Sequence, residues 1–394
     1  MAGAQRIIPT KLHAPIQQPK VLDRPRLTAR MGEAVRGRVT LVAADAGFGK
    51  STMMARFLAA SELPAVWYRL DAGDSDPATF AAYLLEGVRP HAPGNVLTAA
   101  RRGLNLVTDW TVSAQFLADV LPRVRRDLVI VLDDFHLLAS PTLAKGMTRW
   151  IDDLPPRIHL AILTRVRPNL PLARWRAQGI LSEISTEALR FTTAELRSFL
   201  VDLHGLPLTD ASLHVVAAKT EGWPAGIVLA LHAAQTQGPA AAAQALAALS
   251  GSSREIYEYL AQEAFARQAP ETRQFLLATS ILSRFTATFA EALLDTTGAQ
   301  QMIDHLERSH LFLVPLDSER RWYRYHHLFQ EFLQRVGAER DPEWLRSMHL
   351  RTAGLWEARG ELDEAVHHFV EAGHPADAAR LLSGSVQELL AQGR

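Results

Sequence analysis

Short apolar runs alternate with longer amphipathic stretches over residues 39–184. Five runs have the length of a β-strand: Val39–Ala43, Ala65–Leu70, Leu128–Leu132, His159–Leu163 and Leu181–Ile184. Continuous apolar runs of this length suit strands that are buried on both faces, as in a parallel sheet between helices. The alternation of strands and helices therefore predicts a doubly wound α/β domain, to which we assign residues 1–188.

The pattern changes to a helical period after Ala188. Thr192 and Glu195 have the spacing of a capping box, which marks the start of a helix. A segment rich in Ala, Gly, Ser and Gln at Gln235–Ser253 predicts a linker with one marginal helix. We therefore expect a helical domain and linker at 189–250, with helices at Leu196–Leu203, Leu213–Ala218 and Ala225–Ala234.

A β-hairpin is predicted after further helical segments. Two short β-rich runs, Leu311–Pro315 and Arg321–Tyr325, lie on either side of a polar turn at Asp317–Glu319. Helical periodicity precedes them at Ile256–Leu282 and Glu291–Leu306. Helices followed by a hairpin are typical of a winged-helix domain, which we assign to residues 251–337.

The last part of the chain, residues 338–394, has a helical pattern that Gly360 and Gly373 divide into helix hairpins. This arrangement predicts a helical arm that begins a helical-repeat region. Such arrays normally end in a capping repeat with a polar outer face. The residues before Arg394 show no such repeat, so we expect the natural protein to continue.

Composition restricts the kinds of site and partner. The chain has 394 residues, no cysteine, and equal numbers of basic and acidic residues, 42 of each. Disulfides and thiolate metal sites are therefore impossible, and no strong overall field would attract nucleic acid or an anionic membrane. No apolar run approaches the roughly 20 residues of a membrane helix, and the N-terminus lacks a signal-peptide pattern. We expect a soluble, cytoplasmic protein.

A phosphate-binding loop follows the first predicted strand. The residues from Ala44 to Thr52 are Ala-Asp-Ala-Gly-Phe-Gly-Lys-Ser-Thr, and a helical pattern continues after them. Gly49, Lys50 and Ser51 match the P-loop pattern, whereas Ala44 replaces its first glycine. Backbone N–H groups of such a loop and the following helix N-terminus favour phosphate. Lys50 would then reach the β- and γ-phosphates, and Ser51 would bind Mg²⁺.

Charged residues follow two other predicted strands. Asp133 and Asp134 end the run Leu128–Leu132, and Arg165 follows the run His159–Leu163. Ligands of α/β proteins bind at the carboxyl edge of the sheet. We assign Asp133 to Mg²⁺, Asp134 to the attacking water and Arg165 to the γ-phosphate. The alternatives are a helix cap and turn for the aspartates, and a surface position for Arg165.

The order and spacing of these motifs resemble those of a known family. The chain resembles the N-terminal part of the MalT-like regulators, large ATP-binding regulators of the LuxR type within the STAND class of signal-transduction ATPases. The likeness covers essentially the whole chain and rests on these segments: Ile8–Leu12, Arg24–Leu27, Ala46–Ser51, Trp67–Asp71, Leu132–His136, Leu163–Arg165, Leu189–Thr192, Glu221–Gly226 and Tyr325–Phe329.

The resemblance implies a nucleotide-dependent switch. Such a protein holds ADP among its nucleotide-binding, helical and winged-helix domains while at rest. A small-molecule inducer or regulatory protein then acts on a helical-repeat sensor, ATP replaces ADP, and the protein opens and oligomerises. DNA binding belongs to a C-terminal helix-turn-helix, whose pattern is missing from this sequence. The resemblance implies ATP, ADP and Mg²⁺ as ligands and, at most, slow ATP hydrolysis.

The resemblance also implies roles for individual residues. It supports Lys50, Ser51, Asp133, Asp134 and Arg165 in the roles given above. It places Pro224 beside the adenine and His326 on the β-phosphate of ADP. The complete set of nucleotide-binding candidates is Ala46, Gly47, Phe48, Gly49, Lys50, Ser51, Thr52, Pro224 and His326.

Plainer interpretations exist for several of these side chains. Pro224 has the position of an early proline in a helix, and His326 could be a partly buried histidine bonded to backbone. His136 and His327 are expected to serve packing or local hydrogen bonds. Arg24, Arg26 and Leu12 are candidates for the base and ribose side of the site.

Two other functions compete with the switch. One is a P-loop ATPase or small-molecule kinase, although no lid or acceptor-site motif follows the first domain. The other is direct DNA binding by the winged helix, which carries Arg284, Arg308, Arg320, Arg321 and Arg324 among acidic residues.

Overall fold

The computed structural model describes residues 7–16, 20–94, 100, 103–124, 126–140, 142–235, 246, 250 and 253–391. They form two compact units, one containing residues 1–206 and 222–225 and the other residues 207–221 and 226–394. Most of the linker predicted at Gln235–Ser253 lies outside the described residues, and so do the last three residues of the chain. Within the described part, no helix is long and apolar enough to cross a membrane.

The first unit contains a five-stranded parallel sheet with the order β2-β3-β4-β1-β5. The strands are β1 (Val39–Ala43), β2 (Ala65–Arg69), β3 (Leu128–Asp133), β4 (Ile158–Thr164) and β5 (Leu181–Ser185). All five predicted strands are confirmed, with ends that differ by one residue at most. Every residue of β1, β3 and β4 is buried, which explains why their runs are mostly apolar.

Helices connect these strands, as parallel pairing requires. In the core of the first unit, the rings of Phe80, Trp110 and Trp150 from the helices pack together with Tyr68 of β2. The capping box predicted at Thr192 and Glu195 is present and opens a helix. The α-helices that begin in this unit are Pro25–Ala34, Lys50–Ser61, Pro77–Val88, Trp110–Val120, Leu143–Asp152, Leu172–Ala177, Thr186–Leu189, Thr193–Arg197 and Pro224–Gln235.

The second unit is mostly helical. Its α-helices are Asp210–Thr220, Arg254–Leu260, Pro270–Thr279, Ala287–Leu294, Ala299–Arg308, His327–Arg340, Pro342–Glu357, Leu362–Glu371 and Pro375–Ala391. The helical segment predicted at Glu291–Leu306 is two helices, because Asp295 and Gly298 adopt left-handed backbone conformations between them. The segment predicted at Ile256–Leu282 is also interrupted, with a new helix starting at Pro270.

The predicted hairpin is present but shorter than expected. Its strands are β6 (Leu313–Pro315) and β7 (Tyr323–Tyr325), which pair antiparallel. Phe285 adds a single bridge to Tyr323, with two hydrogen bonds of 2.9 Å between their backbones. The ring of Tyr325 in β7 packs against the rings of Phe285 and Phe329. A helical core carrying a short wing is thus the observed arrangement.

After the wing and the helix His327–Arg340, three helices pack each against the next: Pro342–Glu357, Leu362–Glu371 and Pro375–Ala391. Gly360 and Gly373 lie between them with positive φ, which confirms their predicted place at the helix ends.

Candidate functional site: the loop between β1 and its helix

The loop after β1 curls so that the next helix begins at Lys50. Gly47 and Gly49 have φ values of 78° and 75°, a left-handed backbone conformation that residues other than glycine rarely adopt. A Cβ atom placed on Gly49 would have no neighbour within 4 Å, so open space lies beside the loop there. A glycine-turned loop at a helix N-terminus with open space beside it has the form of a phosphate cradle.

Lys50 is the most unusual side chain of this loop. It is 9% exposed, and its Nζ donates to the carbonyl oxygens of Ala44 at 2.8 Å and Asp45 at 2.9 Å. Within the described residues, it forms no ion pair with a carboxylate. Burial, followed by the positive charge of Arg165, lowers the pKa of Lys50 to about 8. The loop therefore holds a buried ammonium group for which an anion would be a favourable partner.

Ser51 and Asp133 form the second feature. The Ser51 hydroxyl donates to Oδ1 of Asp133 at 2.9 Å, and the Asp134 amide donates to the same oxygen at 3.1 Å. Burial and the neighbouring Asp134 charge raise the pKa of Asp133 to about 6, although the Ser51 hydrogen bond opposes the rise. A nearby cation would favour the ionised carboxylate.

Magnesium suits this pair, because it commonly takes one or two protein oxygens and completes its shell with water and phosphate. No group of three or more His, Asp or Glu side chains in the described part of the chain could hold a metal ion. The hydroxyl of Ser51 and the carboxylate of Asp133 fit Mg²⁺ that is held jointly with a nucleotide. When bound, the ion would neutralise phosphate charge.

Asp134 turns the chain directly after β3. Its backbone is left-handed, with φ 58° and ψ 36°, a region in which aspartate is one of the better tolerated residues. Its Oδ2 lies 3.6 Å from Nε of Arg69, the last residue of β2. Sequence reasoning did not single out Arg69. Its position was the signal that could have identified it, because a positively charged residue ends the strand that pairs with β3.

Arg165 follows β4, next to β3 in the sheet. The Thr164 hydroxyl donates to the Val166 carbonyl at 2.7 Å and accepts from the Val166 amide at 3.1 Å, which fixes the turn around Arg165. The Arg165 amide approaches Nδ1 of His136 at 3.5 Å, in line with a local role for that histidine. Arg165 is half-buried and close enough for its charge to lower the pKa of Lys50.

The segment Gly222–Ala225 packs on the loop after β1 within the first unit. The buried indole of Trp223 donates to the Ala46 carbonyl at 3.0 Å, and the Ala225 amide donates to the Gly47 carbonyl at 3.0 Å. Pro224 is buried at the first position of its helix, as the plainer interpretation has it. Sequence reasoning missed that Trp223 supports the loop backbone, because the contact joins residues 177 positions apart.

Arg24 and Arg26 bind the segment that follows β5. Both guanidinium groups donate to Glu195, with distances of 2.8–3.0 Å, and both also reach the Arg190 carbonyl. Burial alone would raise the pKa of Glu195, but hydrogen bonds from Arg26 and Arg24 hold it at about 2. Arg24 also lies over the Phe191 ring. Their role at the base of a nucleotide stays a prediction, as does that of Leu12, which packs against the core.

His326 belongs to the second unit and is 1% exposed. Its Nε2 lies 2.9 Å from the carbonyl oxygen of Thr220. The adjacent Glu221 accepts two hydrogen bonds from Arg324, at 2.7 and 3.0 Å, and a third from the His327 amide at 3.0 Å. His326 therefore has the backbone contact of the plainer interpretation in this structure, and phosphate binding by His326 stays a prediction.

The arginines of the wing region have partners within the second unit. Arg320 pairs with Glu307, Arg321 with Glu319, Arg284 with Glu361 and Arg324 with Glu221. Arg308 donates to the Asp304 carbonyl at 3.0 Å. Their positive charge is therefore largely balanced locally, which does not favour a nucleic-acid surface.

Comparison with known proteins agrees with the fold. Residues 261–345 match the family model for the MalT winged helix domain. The chain is similar to the HTH-type transcriptional regulator MalT of Cronobacter sakazakii, with 31% identity over 374 residues, or 93% of this chain and 41% of that protein. It is also similar to the serine/threonine-protein kinase PknK of Mycobacterium tuberculosis, with 30% identity over 98% of this chain and 35% of that protein.

Among solved structures, the Walker-type ATPase PABY2304 of Pyrococcus abyssi has the same fold, with a TM-score of 0.55 and 12% identity. That alignment covers 80% of this chain and 96% of that one. The chain spans less than half the length of the MalT and PknK proteins to which it is similar. This chain is a relative of the MalT-type regulators, with a P-loop NTPase fold followed by their winged helix domain.

Proposed function

We propose that this chain is the nucleotide-dependent switch of a transcription regulator, with ADP bound at rest and ATP in the active state. The observation that carries the proposal is the buried Lys50 ammonium group on the glycine-turned loop, next to the Ser51–Asp133 pair. A buried cation held by two carbonyl oxygens has a strong electrostatic demand for an anion. A phosphate group would pair with the Lys50 ammonium group, and Mg²⁺ would pair with the Asp133 carboxylate.

The proposed site residues follow from this arrangement. The loop Ala46–Thr52 would hold the phosphates, while Ser51 and Asp133 would hold Mg²⁺. Asp134 and Arg165, at the ends of β3 and β4, would orient water and contact the terminal phosphate. Pro224 and His326 would contact the adenine and the β-phosphate of ADP, respectively.

A switch accounts for the relatives better than a metabolic enzyme does. MalT is a transcriptional regulator and PknK is a protein kinase, yet both are similar to nearly all of this chain. A region shared by proteins with such different outputs is expected to serve regulation. We propose that inducer or regulatory-protein binding, self-oligomerisation and promoter binding involve further parts of a longer cytoplasmic regulator.

Nucleotide content tests the proposal directly. The purified chain is denatured, and any released nucleotide is identified by ion-exchange chromatography. We expect about one ADP per chain, and its loss in a Lys50→Ala variant whose circular dichroism is unchanged. The proposal would be contradicted if the original chain released no nucleotide and bound added ADP or ATP no better than the Lys50→Ala variant does.

A kinase or ordinary ATPase is the competing function. Steady ATP turnover by the empty chain would favour it, especially if a small-molecule acceptor increased the rate. The switch instead predicts slow hydrolysis and a nucleotide that exchanges slowly.

A further inference from the structure

An arginine on the far side of the aspartate pair has no role in the site described so far. Strands β2 and β4 are the two neighbours of β3, which ends in Asp133. Arg165 follows β4, and Arg69 ends β2, directly opposite Asp133 in the strand register. The carboxyl edge of the sheet therefore carries an arginine on each side of the two aspartates.

The backbone of Arg69 is fixed while its side chain is exposed. The amide of the next residue, Leu70, donates to the Asp133 carbonyl at 2.9 Å, which continues the pairing of β2 with β3. The Arg69 side chain is 69% exposed, whereas Tyr68 and Leu70 on either side are buried. Its base is thus anchored at the edge, and its guanidinium remains able to change rotamer.

Arg69 is held only weakly. Its Nε lies 3.6 Å from Oδ2 of Asp134, which is longer than a normal hydrogen bond. Exposed ion pairs of this kind contribute little to stability because water screens them and ordering a long side chain costs entropy. An anion that binds more strongly would therefore replace Asp134 as the partner of this guanidinium at a small cost in free energy.

The side-chain charges at this edge favour a further anion more strongly when Arg69 takes part, in addition to any bound Mg²⁺. Lys50 and Arg165 provide two positive charges, whereas Asp45, Asp133 and Asp134 all act on Lys50 as negative groups. A nucleoside triphosphate brings one phosphate group more than a diphosphate. The guanidinium of an arginine suits phosphate because it presents several N–H donors in one plane.

We propose that Arg69 is a specificity-determining residue that contacts the third phosphate of a bound nucleoside triphosphate and so favours triphosphate over diphosphate. This inference rests on the proposed function, because it assumes that the loop after β1 binds a nucleotide. Arg165 and Arg69 then act on the terminal phosphate from the two strands that flank β3. Exchange of diphosphate for triphosphate would move Arg69 from Asp134 to the phosphate.

Equilibrium binding tests the inference without depending on turnover. The full chain is titrated, with Mg²⁺ present, with the fluorescent analogues mant-ADP and mant-AMPPNP, the latter a triphosphate that resists hydrolysis. We expect Arg69→Ala to weaken mant-AMPPNP binding by about tenfold, the scale of one hydrogen bond to a charged group, and to change mant-ADP binding less than about twofold. Arg69→Lys should retain part of the preference, since it keeps the charge.

Two further variants separate this role from its alternatives. Arg167→Ala removes another exposed arginine of the same unit, one that pairs with Glu183, and should leave both affinities unchanged. Arg69→Ala combined with Asp134→Asn removes the carboxylate that the first change uncovers. If the double variant regains the triphosphate preference, the effect comes only from Asp134 and the inference is overturned.

The remaining outcomes are equally distinct. If the original chain binds both analogues, Lys50→Ala abolishes binding and Arg69→Ala leaves their ratio unchanged, the inference fails while the proposed function stands. If neither analogue binds the original chain under any condition, the proposed function fails and the inference fails with it.

Discussion

At the residue scale, the site combines ionisable groups whose burial disfavours their charged forms. Lys50 is a cation whose pKa burial lowers to about 8, and Asp133 is an acid whose pKa burial raises to about 6. The charged form of each side chain is less favourable in the folded protein without a ligand than it would be in water. Such perturbed groups are typical of functional positions, and the proposed binding of phosphate and a metal ion would restore their charged forms.

The pKa of Lys50 predicts a pH dependence of nucleotide binding. The protonated form attracts phosphate, and a pKa of about 8 means that this form is lost as the pH rises through 8. We expect the affinity for mant-ADP to be nearly constant below pH 7.5 and to fall by up to about tenfold between pH 8 and pH 9. Fluorescence titrations across this range measure it.

Lys50→Arg provides the control, because a guanidinium stays protonated throughout the range. Its affinity, whatever its value at pH 7, should not change up to pH 9. An original chain that binds equally well at pH 7 and pH 9 would contradict the assigned role of Lys50.

Asp133 predicts a conflict between function and stability. Its folded-state pKa of about 6 exceeds the ordinary value of 3.8, so stability is lost as the pH rises from 3.8 to 6, and the full cost is present at pH 7. We expect Asp133→Asn to raise the free energy of unfolding at pH 7 by roughly 1–3 kcal/mol while weakening Mg²⁺-dependent nucleotide binding. Denaturant unfolding of the first unit measures the gain.

The exposed Asp119 offers a matched comparison. Asp119→Asn should change neither stability nor binding appreciably. A destabilised Asp133→Asn variant would show that the carboxylate supports the fold, against the prediction.

At the scale of elements, the loop after β1 is held by contacts from a segment that is distant in sequence. The loop joins β1 to the helix Lys50–Ser61, and carbonyl groups of Ala46 and Gly47 accept hydrogen bonds from Trp223 and Ala225. The loop's conformation is therefore set partly by the start of the helix Pro224–Gln235.

Trp223→Phe should expose this dependence. The change removes the indole N–H that binds Ala46 and leaves a small void, for a loss of about 1–3 kcal/mol in the free energy of unfolding. We also expect weaker mant-ADP binding and faster hydrogen exchange of the loop amides, measured by mass spectrometry.

Trp110→Phe is the matched control. Trp110 is equally buried in the same unit, but its indole nitrogen has no hydrogen-bond partner among the described residues. Its replacement should cost stability without weakening nucleotide binding. Equal effects of the two changes on binding would contradict a supporting role for Trp223.

At the scale of the whole molecule, the second unit contains a histidine pair that is remote in sequence from the loop after β1. His349 and His368 lie on consecutive helices, with their Nδ1 atoms 2.9 Å apart, and His368 is fully buried. Burial, followed by the neighbouring His349 and His367, lowers the pKa of His368 to about 3. One imidazole must therefore stay neutral for the helices to pack.

This pair predicts loss of stability in mild acid. The unfolded chain protonates His368 near pH 6.5 and the folded chain only near 3, so the contribution to stability falls as the pH decreases from 6.5. We expect a loss of about 2 kcal/mol at pH 5 relative to pH 7.5, which thermal unfolding of the second unit measures.

His368→Leu should remove this part of the pH dependence, whereas His214→Gln, at an exposed position, should retain it. An unchanged difference between pH 7.5 and pH 5 in the His368→Leu chain would show that other groups cause the acid sensitivity.

The sequence by itself determined the strands, the capping box at Thr192, the helix ends at Gly360 and Gly373, and the position of the glycine-containing loop between β1 and its helix. These features depend on local patterns, such as apolar runs, cap spacing and glycine at left-handed positions, which need no knowledge of distant contacts. The breaks near Pro270 and Asp295 were missed because helical periodicity continues across them.

Only the tertiary structure decided which side chains meet. It brought Trp223 to the loop and Arg69 to Asp134, since strand order and packing are not visible in a pattern of residues. It also placed His326 against the Thr220 carbonyl and paired the arginines of the wing with glutamates. The tertiary structure also decides the pKa values of Lys50 and Asp133, because these depend on the burial and the neighbouring charges that folding creates.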